Sequence, residues 1–549
     1  MGEVPGPDRP HVQEVKPVSE ITSPSVSIRE PSLSDTLARF AAAAIQTLGP
    51  DKVDGPANDL LSDTLHREPA DHVILRPGST ADVQAALELA RSHGQSVHPY
   101  STGRNWGYGT SYPADDRTRV LLDLSGMNRI LAFDATLGIV TVEPGVRQGD
   151  LAAFLADRGA PFITPTTGAG PSPSLIGNAL ERGYGLTPIG DHFGAIMGIE
   201  AVLADGTVYR SPFMPEAPDG PQPVYKYGTG PYIDGVFSQA GNAVVTRMTL
   251  RLAPKPQRIE TFYFIVRDDA HLEACIDAIR YMLLESGMPI SGINFVNGSR
   301  MQAQVGGNGT MSVAKWFGTG VLFGDKEMVK ASRACVRRAL KGLVRRVFFL
   351  NEDRLALARK AYGVLRKTGR GAALEPFLVN SENLLGILGG QPSEFGMPLA
   401  YAKNPGGMPD KGLDPARDGC GLLWYVPIVP MRGEDARRYA NMVGRICGKY
   451  GFDDMITFSS LSPTAFDSTV PLIFDPTKEG SANAMACLRD LIEEGRREGF
   501  HPYRYHGRTM DLATACQPTF WDTAARVKSA LDPDHLISPG RYTAPNDAA

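Results

Sequence analysis

The chain reads STGRNWGYG at residues 101–109, and the reading of this stretch decides the fold. It holds three glycines, two small hydroxyl residues and an Arg–Asn pair, together with a Trp and a Tyr. A surface turn has no use for large aromatics, and a phosphate cradle needs bare N–H groups rather than bulky side chains. The front of the stretch, Ser101, Thr102, Gly103, Arg104 and Asn105, suits a pyrophosphate. Tyr108, at its back, suits the reactive end of whatever carries that pyrophosphate. The spacing matches neither the NTPase loop nor the GxGxxG turn, so a plain turn stays open on this stretch alone.

A second small-residue loop enters a helix at 168–185, GAGPSPSLIGNALERGYG. Two such loops, separated by a strand pair and a helix, suggest one extended dinucleotide held at both places. Around them the chain alternates. HVILRP (72–77) reads as a strand. The helix after it has Ser79 as N-cap, Asp82 as capping-box partner and Gly94 at its C-terminal stop. RVLLDL (119–124) and GIVTVEPGV (138–146) read as strands and 147–159 as a helix. IEAVLADGTVYRS (199–211) is a hairpin turning at Asp205–Gly206, and 242–256 is a strand ended by prolines. Beyond Pro256 the pattern changes to a strand at 261–268 and a helix at 269–286. A basic helix follows over 326–349, then a loop at 400–420, a strand at 421–430 and a helix at 434–451.

At 549 residues the chain is too long for one ordinary core. Its 42% hydrophobic and 21% charged content is that of a soluble globular protein. A net charge of −4 gives no general pull toward nucleic acid or anionic membrane. Cys275, Cys335, Cys420, Cys447, Cys487 and Cys516 have neither CxxC nor Cys/His spacing, which argues for reduced thiols and against a metal site. No apolar run reaches membrane-spanning length. The Pro- and Ser-rich residues 1–32 lack a signal-peptide core, so a disordered tail and a cytoplasmic location are expected.

GRNWGYG, EPGV, SLIGNALERGYGLTPIGDH, YGTGPYIDGVFSQ, VVTRMTLRLAPKP, YRYH and LDPDHLISPGR occur in this order. In order and spacing they resemble the vanillyl-alcohol oxidase/p-cresol methylhydroxylase family of FAD-dependent oxidoreductases. The likeness covers most of 70–549 and is weakest at 290–420. It implies an α+β protein with a PCMH-type, two-subdomain FAD-binding domain and an α+β cap, or substrate, domain with an antiparallel sheet. The FAD-binding domain is expected at 33–256 with 500–549 returning to it, and the cap at 257–499.

By the resemblance, Ser101 to Asn105 hold the pyrophosphate. Ser174, Gly177 and Asn178 line the flavin, Glu200, Val202, Val244 and Val245 meet the adenine side through their backbone, and Arg541 also binds FAD. Tyr108, Tyr503 and Arg504 match the set that binds a phenolate in phenol-oxidising members. The implied reaction moves hydride from the benzylic carbon of a para-substituted phenol, or a related aromatic alcohol, to flavin N5.

Two departures stand out. Aligning FDSTVPLIFD (466–475) with the cap segment that links covalent flavins puts Ser468 at the linking position, so dissociable FAD is expected. The phenol oxidases also carry an Asp in the loop before SLIGN, whereas no Asp or Glu occurs here between Asp157 and Glu181. Asp191, His192 and His506 are the substitutes to examine, and Asp467 is either an acid hydrogen-bonded near the ring or a solvated loop acid. The missing Asp favours a second reading, a non-phenolic alcohol, hydroxy acid or specialised metabolite as substrate. A flavin-using transferase and a non-catalytic flavin binder complete the alternatives. The partner expected is a small molecule, with a homo-oligomer by analogy. A solvated face is the better reading of the basic helix than a cytochrome contact.

Overall fold

The computed structural model describes Gly2 and residues 32–185, 187–217, 220–286, 290–305, 314–367 and 374–543. The tail read at 1–32 therefore lies almost wholly outside the described residues.

Three sheets organise the chain. The first runs Val53–Ala57, His72–Leu75, Val120–Asp123, Val97–Tyr100 in spatial order, with its last two pairings parallel. The strands His72–Leu75 and Val120–Asp123 are buried throughout, as parallel strands covered on both faces are. Helices Leu33–Leu48 and Thr80–Ser92 pack on them through Leu37, Phe40, Val83 and Leu87. The Ser79 cap forms as the sequence indicates, its Oγ accepting from the Asp82 amide at 3.1 Å.

The second sheet is antiparallel, in the order Ile130–Asp134, Ile139–Val142, Val244–Arg251, Ile196–Val202, Val208–Arg210. Its last two strands are the hairpin read at 199–211, turning at Gly206 with φ +86°. The C-terminal segment comes back to the first sheet. Ile537 bridges Val97, and the buried Lys528 ammonium donates to the Ile537 carbonyl at 2.7 Å while pairing with Asp532.

Residues 258–474 form an eight-stranded sheet whose pairings are all antiparallel. Its strands include Arg258–Val266, Ile290–Asn297, Trp316–Gly324, Gly421–Tyr425, Thr457–Ser462 and Ala465–Phe474. Side chains alternate between its faces. Phe262, Phe264, Phe295, Phe458, Phe466 and Leu472 point one way, into a core closed by helices Leu272–Ser286, Lys326–Ala339, Gly433–Lys449 and Lys478–Arg497. Each such fully buried side chain contributes roughly 1.5–3 kcal/mol. The opposite face carries Asn294, Thr319, Thr457, Ser459 and Thr469, and that polar face is one wall of the main cavity.

The basic helix is shorter than its composition suggests. It stops at Ala339, and Val347–Leu350 is instead the edge strand beside Arg258–Val266. Gly342, at φ +84°, turns the chain between them, and the Phe349 ring is buried on the sheet as a helical Phe349 could not be.

Candidate active site

A cavity of about 900 Å³ lies between the first two sheets and the polar face of the third. Ligand pockets run to about 1,000 Å³, so this volume suits a large cofactor. STGRNWGYG forms its floor and is knitted to the second small-residue loop. The Ser174 amide donates to Thr102 Oγ1 at 3.1 Å, and Ser174 Oγ donates to the Pro144 carbonyl at 2.6 Å. The same Oγ accepts from the Gly177 amide at 3.0 Å. A Cβ at Gly177 would lie 2.5 Å from Ser101 Oγ, so the bare glycine lets the Ser101 hydroxyl rest against the second loop. Gly103 takes φ +63°, a left-handed turn that turns the loop back on itself.

The far end of the stretch meets the C-terminal segment. Arg504 Nη2 donates to Asn105 Oδ1 at 2.6 Å, and the Gly507 amide donates to the Tyr108 carbonyl at 3.1 Å. The Arg504 guanidinium carbon sits 4.3 Å from the centre of the Tyr108 ring. Tyr503 is held by its carbonyl, which accepts from Gln239 Nε2 at 2.7 Å, and its ring lies 6.1 Å from that of Tyr184. Burial raises the pKa of both Tyr108 and Tyr503, and Arg504 only partly opposes it, so both phenols keep their protons. Burial works against the charge on Arg504, but Tyr108, Tyr503 and Glu181 favour it more and raise its pKa.

Among the described residues the cavity wall has one carboxylate, Glu181, against four guanidiniums, Arg104, Arg300, Arg504 and Arg541. Glu181 pairs with Arg541 and lies 3.9 Å from Arg504 Nε. Burial opposes its ionisation, but Arg541 and Arg504 outweigh that and hold its pKa below the ordinary value. Arg104 pairs with Asp414, which also accepts from Trp106 Nε1 at 2.9 Å. Arg104 Nε is buried without a partner of its own, a donor left over for an anionic group in the cavity.

The structure brings most of the sequence-derived residues to this one cavity. Ser101, Thr102, Gly103, Arg104, Asn105, Tyr108, Ser174, Gly177, Asn178, Val245, Tyr503, Arg504 and Arg541 all line it. Glu200, Val202 and Val244 do not line it. Glu200 is buried between Arg247, at 2.5 Å, and Arg210, at 2.9 Å, and Val202 and Val244 belong to the core beside Leu536 and Ile537.

The substitutes considered for the missing Asp also stand elsewhere. Asp191 is exposed and accepts from the Gly194 amide at 2.8 Å. His192 is buried behind Asn178, its Nδ1 2.5 Å from Nδ2 of that amide, and His506 is buried outside the cavity. Burial lowers the pKa of both imidazoles to about 4. Asp467 is the acid that the sequence undervalued. It is fully buried mid-strand, not solvated, with both oxygens unpartnered, and burial raises its pKa well above the ordinary value. It shares a sheet face with Thr469 and influences Tyr108, Tyr503 and Arg504. Ser468 points to the other face, toward Tyr439, and is not in the cavity wall. Arg300 and Trp424 had no sequence signal, since both sit in the cap and Arg300 falls where the family motifs fade.

Fold and site together define a flavoprotein of the PCMH type. Residues 72–211 match the family described as FAD binding domain. A 1'-carboxy-chondrochloren decarboxylase of Chondromyces crocatus is 32% identical over 502 residues, covering 87% of this chain and 91% of that protein. The 4-cresol dehydrogenase [hydroxylating] flavoprotein subunit of Pseudomonas putida is 27% identical, with 88% and 90% covered. A crystal structure of p-cresol methylhydroxylase with substrate bound superposes at TM-score 0.78 and 24% identity, over 94% of this chain and 98% of that one. A 4-ethylphenol oxidase from Gulosibacter chungangensis, in its isoeugenol complex, superposes at 0.79 and 24% identity, over 93% and 98%. The chain belongs to the vanillyl-alcohol oxidase/p-cresol methylhydroxylase family, and it is an FAD-dependent oxidoreductase. No helix among the described residues is long and apolar enough to cross a membrane.

Proposed function

We propose that the protein oxidises a para-substituted phenol, or a related aromatic alcohol, at its benzylic carbon, with FAD bound without a covalent link. The observation that carries this reading is the buried Tyr108–Arg504 contact with Tyr503 beside it. A free phenol titrates near pH 10, so holding it as phenolate at pH 7 requires about 3 pKa units, or ~4 kcal/mol. A permanently charged guanidinium and two protonated phenolic donors in a water-poor cavity supply stabilisation of that order. In this reading Ser101 to Asn105 hold the cofactor's pyrophosphate, with Arg104 Nε as an available donor, and Ser174, Gly177 and Asn178 lie along the flavin. Bound FAD supplies the hydride acceptor. Arg504, Tyr108 and Tyr503 stabilise the phenolate whose electrons drive hydride departure, leaving a substrate quinone methide.

A second reading concerns the fate of that quinone methide. The cavity wall has no acid in the loop before SLIGN, and the relative from Chondromyces crocatus is named a decarboxylase. If the substrate's side chain carries a carboxylate on the carbon next to the benzylic one, no base is needed. The bond between that carbon and the carboxylate breaks, CO₂ leaves, and the bonding pair flows into the quinone methide. The ring becomes a phenolate again and the side chain an alkene. Two electrons and one proton have left as hydride.

Anaerobic mixing with 4-alkylphenols, 4-hydroxybenzyl alcohols and matched non-phenolic alcohols tests the main reading. Bleaching of the flavin's visible band by the phenols alone is expected. Equal bleaching by the non-phenols removes the phenolate site, and bleaching by no compound removes the reading altogether. Release of CO₂ from 3-(4-hydroxyphenyl)propanoate in proportion to flavin reduced is the result that favours the second reading.

A further inference from the structure

We propose that Arg300 forms a carboxylate subsite in the cap-side wall of this cavity, together with Thr457, so that the substrate carries a carboxylate. The inference rests on reading the cavity as the substrate-oxidising site and adds what its cap-side wall selects.

Arg300 follows the strand Ile290–Asn297 in the short helix Gly298–Val305, whose first turn is fixed by the Arg300 amide donating to Asn297 Oδ1 at 3.1 Å. Its side chain lines the cavity yet is only 8% exposed, and Nε and Nη1 are buried with no hydrogen-bond partner. The other three guanidiniums of the wall have carboxylates: Asp414 for Arg104, and Glu181 for Arg504 and Arg541. Arg300 has none. Burial alone acts on its ionisation, pulling its pKa down to about 10, which still leaves it charged at neutral pH. The segment after this helix, residues 306–313, reads GGNGTMSV and contains no acid to pair with it.

Among the described residues its compensating contact is the Trp424 ring, 5.9 Å from the guanidinium carbon. A cation over an aromatic face recovers only part of the cost of burying a charge. A bound anion would recover the rest. The polar wall of the same cavity offers one more donor, because Thr457 Oγ1 is also buried and, among the described residues, unpartnered. It belongs to the cavity-facing side of the large sheet, opposite Val296. A planar carboxylate takes two parallel N–H donors from a guanidinium and a third hydrogen bond from a hydroxyl. One unpaired arginine balances one negative charge, which fits a carboxylate better than a dianionic phosphate.

The test compares matched acids and amides on the purified holoenzyme. Binding of 3-phenylpropanoate and 3-phenylpropanamide is measured from perturbation of the flavin spectrum. The 4-hydroxyphenyl pair is measured from the substrate dependence of anaerobic flavin reduction. We expect the acid to bind about 30-fold tighter than the amide in both series, ~2 kcal/mol at 1.4 kcal/mol per tenfold. Arg300→Met should reduce that ratio to about one, and Arg300→Lys should keep part of it. A wild-type ratio near one overturns the proposal, whether or not the variants fold. So does a ratio that persists in Arg300→Met. Loss of FAD or a lowered flavin potential in that variant, with the ratio intact, would assign the arginine to the cofactor instead. Failure of the phenolate reading shows separately, as indifference to the 4-hydroxyl group, while the acid-to-amide ratio is still read in the series without it.

Discussion

The guanidinium of Arg504 lies face-on to the ring of Tyr108, 4.3 Å from its centre, although the two residues come from opposite ends of the chain. The contact is possible because Asn105, in the same loop as Tyr108, accepts from Arg504 Nη2, and because Gly507 is tied to the Tyr108 carbonyl. Burial keeps Tyr108 and Tyr503 protonated, so the charge in this corner belongs to the guanidinium. A cation beside two phenolic donors is the arrangement on which the proposed phenolate site rests.

Removing the cation should therefore change how the rate depends on pH. Arg504→Ala is expected to slow anaerobic flavin reduction by a 4-alkylphenol at least 100-fold at pH 7, out of the ~4 kcal/mol that phenolate stabilisation requires. Its residual rate should rise about tenfold per pH unit toward the free phenol's pKa, because the substrate must then ionise unaided. Tyr503→Phe should cost about tenfold, the scale of a hydrogen bond to a charged group. Wild-type kinetics in both variants would exclude a phenolate site here.

Asp467 gives a stability prediction with a definite sign. Its folded pKa is raised above the ordinary carboxyl value of 3.8, so from about pH 4 upward the unfolded chain ionises while the folded one holds the proton. The wild type therefore loses stability, relative to a neutral isostere, as pH rises through that window. Asp467→Asn should unfold at a higher temperature than wild type, by a margin that widens from pH 4.5 to pH 7. A margin that shrinks with pH would mean that Asp467 is ionised and paired in the fold.

Gly107 combines two constraints. It adopts φ +77°, and a Cβ there would run into the Trp424 ring. Its amide donates to Thr64 Oγ1 at 3.0 Å, which leaves the backbone little room to move away. Gly107→Ala should cost about 2–4 kcal/mol, from left-handed strain plus overpacking, and should lower FAD content as Trp424 is pushed into the cavity. Denaturant midpoint and flavin-to-protein ratio read the two effects, and an unchanged midpoint would place Trp424 elsewhere.

Local patterning makes the FAD-binding half legible. The Ser79 cap, the Gly206 hairpin and the small-residue loops at 101–105 and 174–178 depend on contacts close in sequence or on backbone geometry that only certain residues adopt. The cap is harder. Its large sheet pairs strands as distant as Asn294 and Ser459, and it buries one face under helices and lines a cavity with the other. Period-two alternation carries that information, but alignment with the flavin-linking segment of relatives hides it in FDSTVPLIFD, all but the last residue of which lies in the ten-residue strand Ala465–Phe474. In a strand, Asp467 and Thr469 share a face and Ser468 does not. Arg300 has no such signature, because an unpaired buried cation is defined by what is absent around it in space.

Strand parity also bears on how FAD is held. A covalent flavin needs a nucleophilic side chain aimed into the cavity, and Ser468 is aimed at Tyr439 on the opposite face, with no exposure. A serine hydroxyl without an activating base is a poor nucleophile in any orientation. Acid precipitation of the holoenzyme should accordingly leave the yellow colour in the supernatant. Ser468→His should do the same, since an imidazole there still projects into the hydrophobic core and not toward the flavin. That variant should also lose stability, as a polar ring is forced among Tyr439, Phe458 and Phe466. Colour in the wild-type pellet would mean that another residue carries the cofactor. Colour in the pellet of Ser468→His alone would mean that the strand presents residue 468 to the cavity, and with it that Asp467 faces the helices.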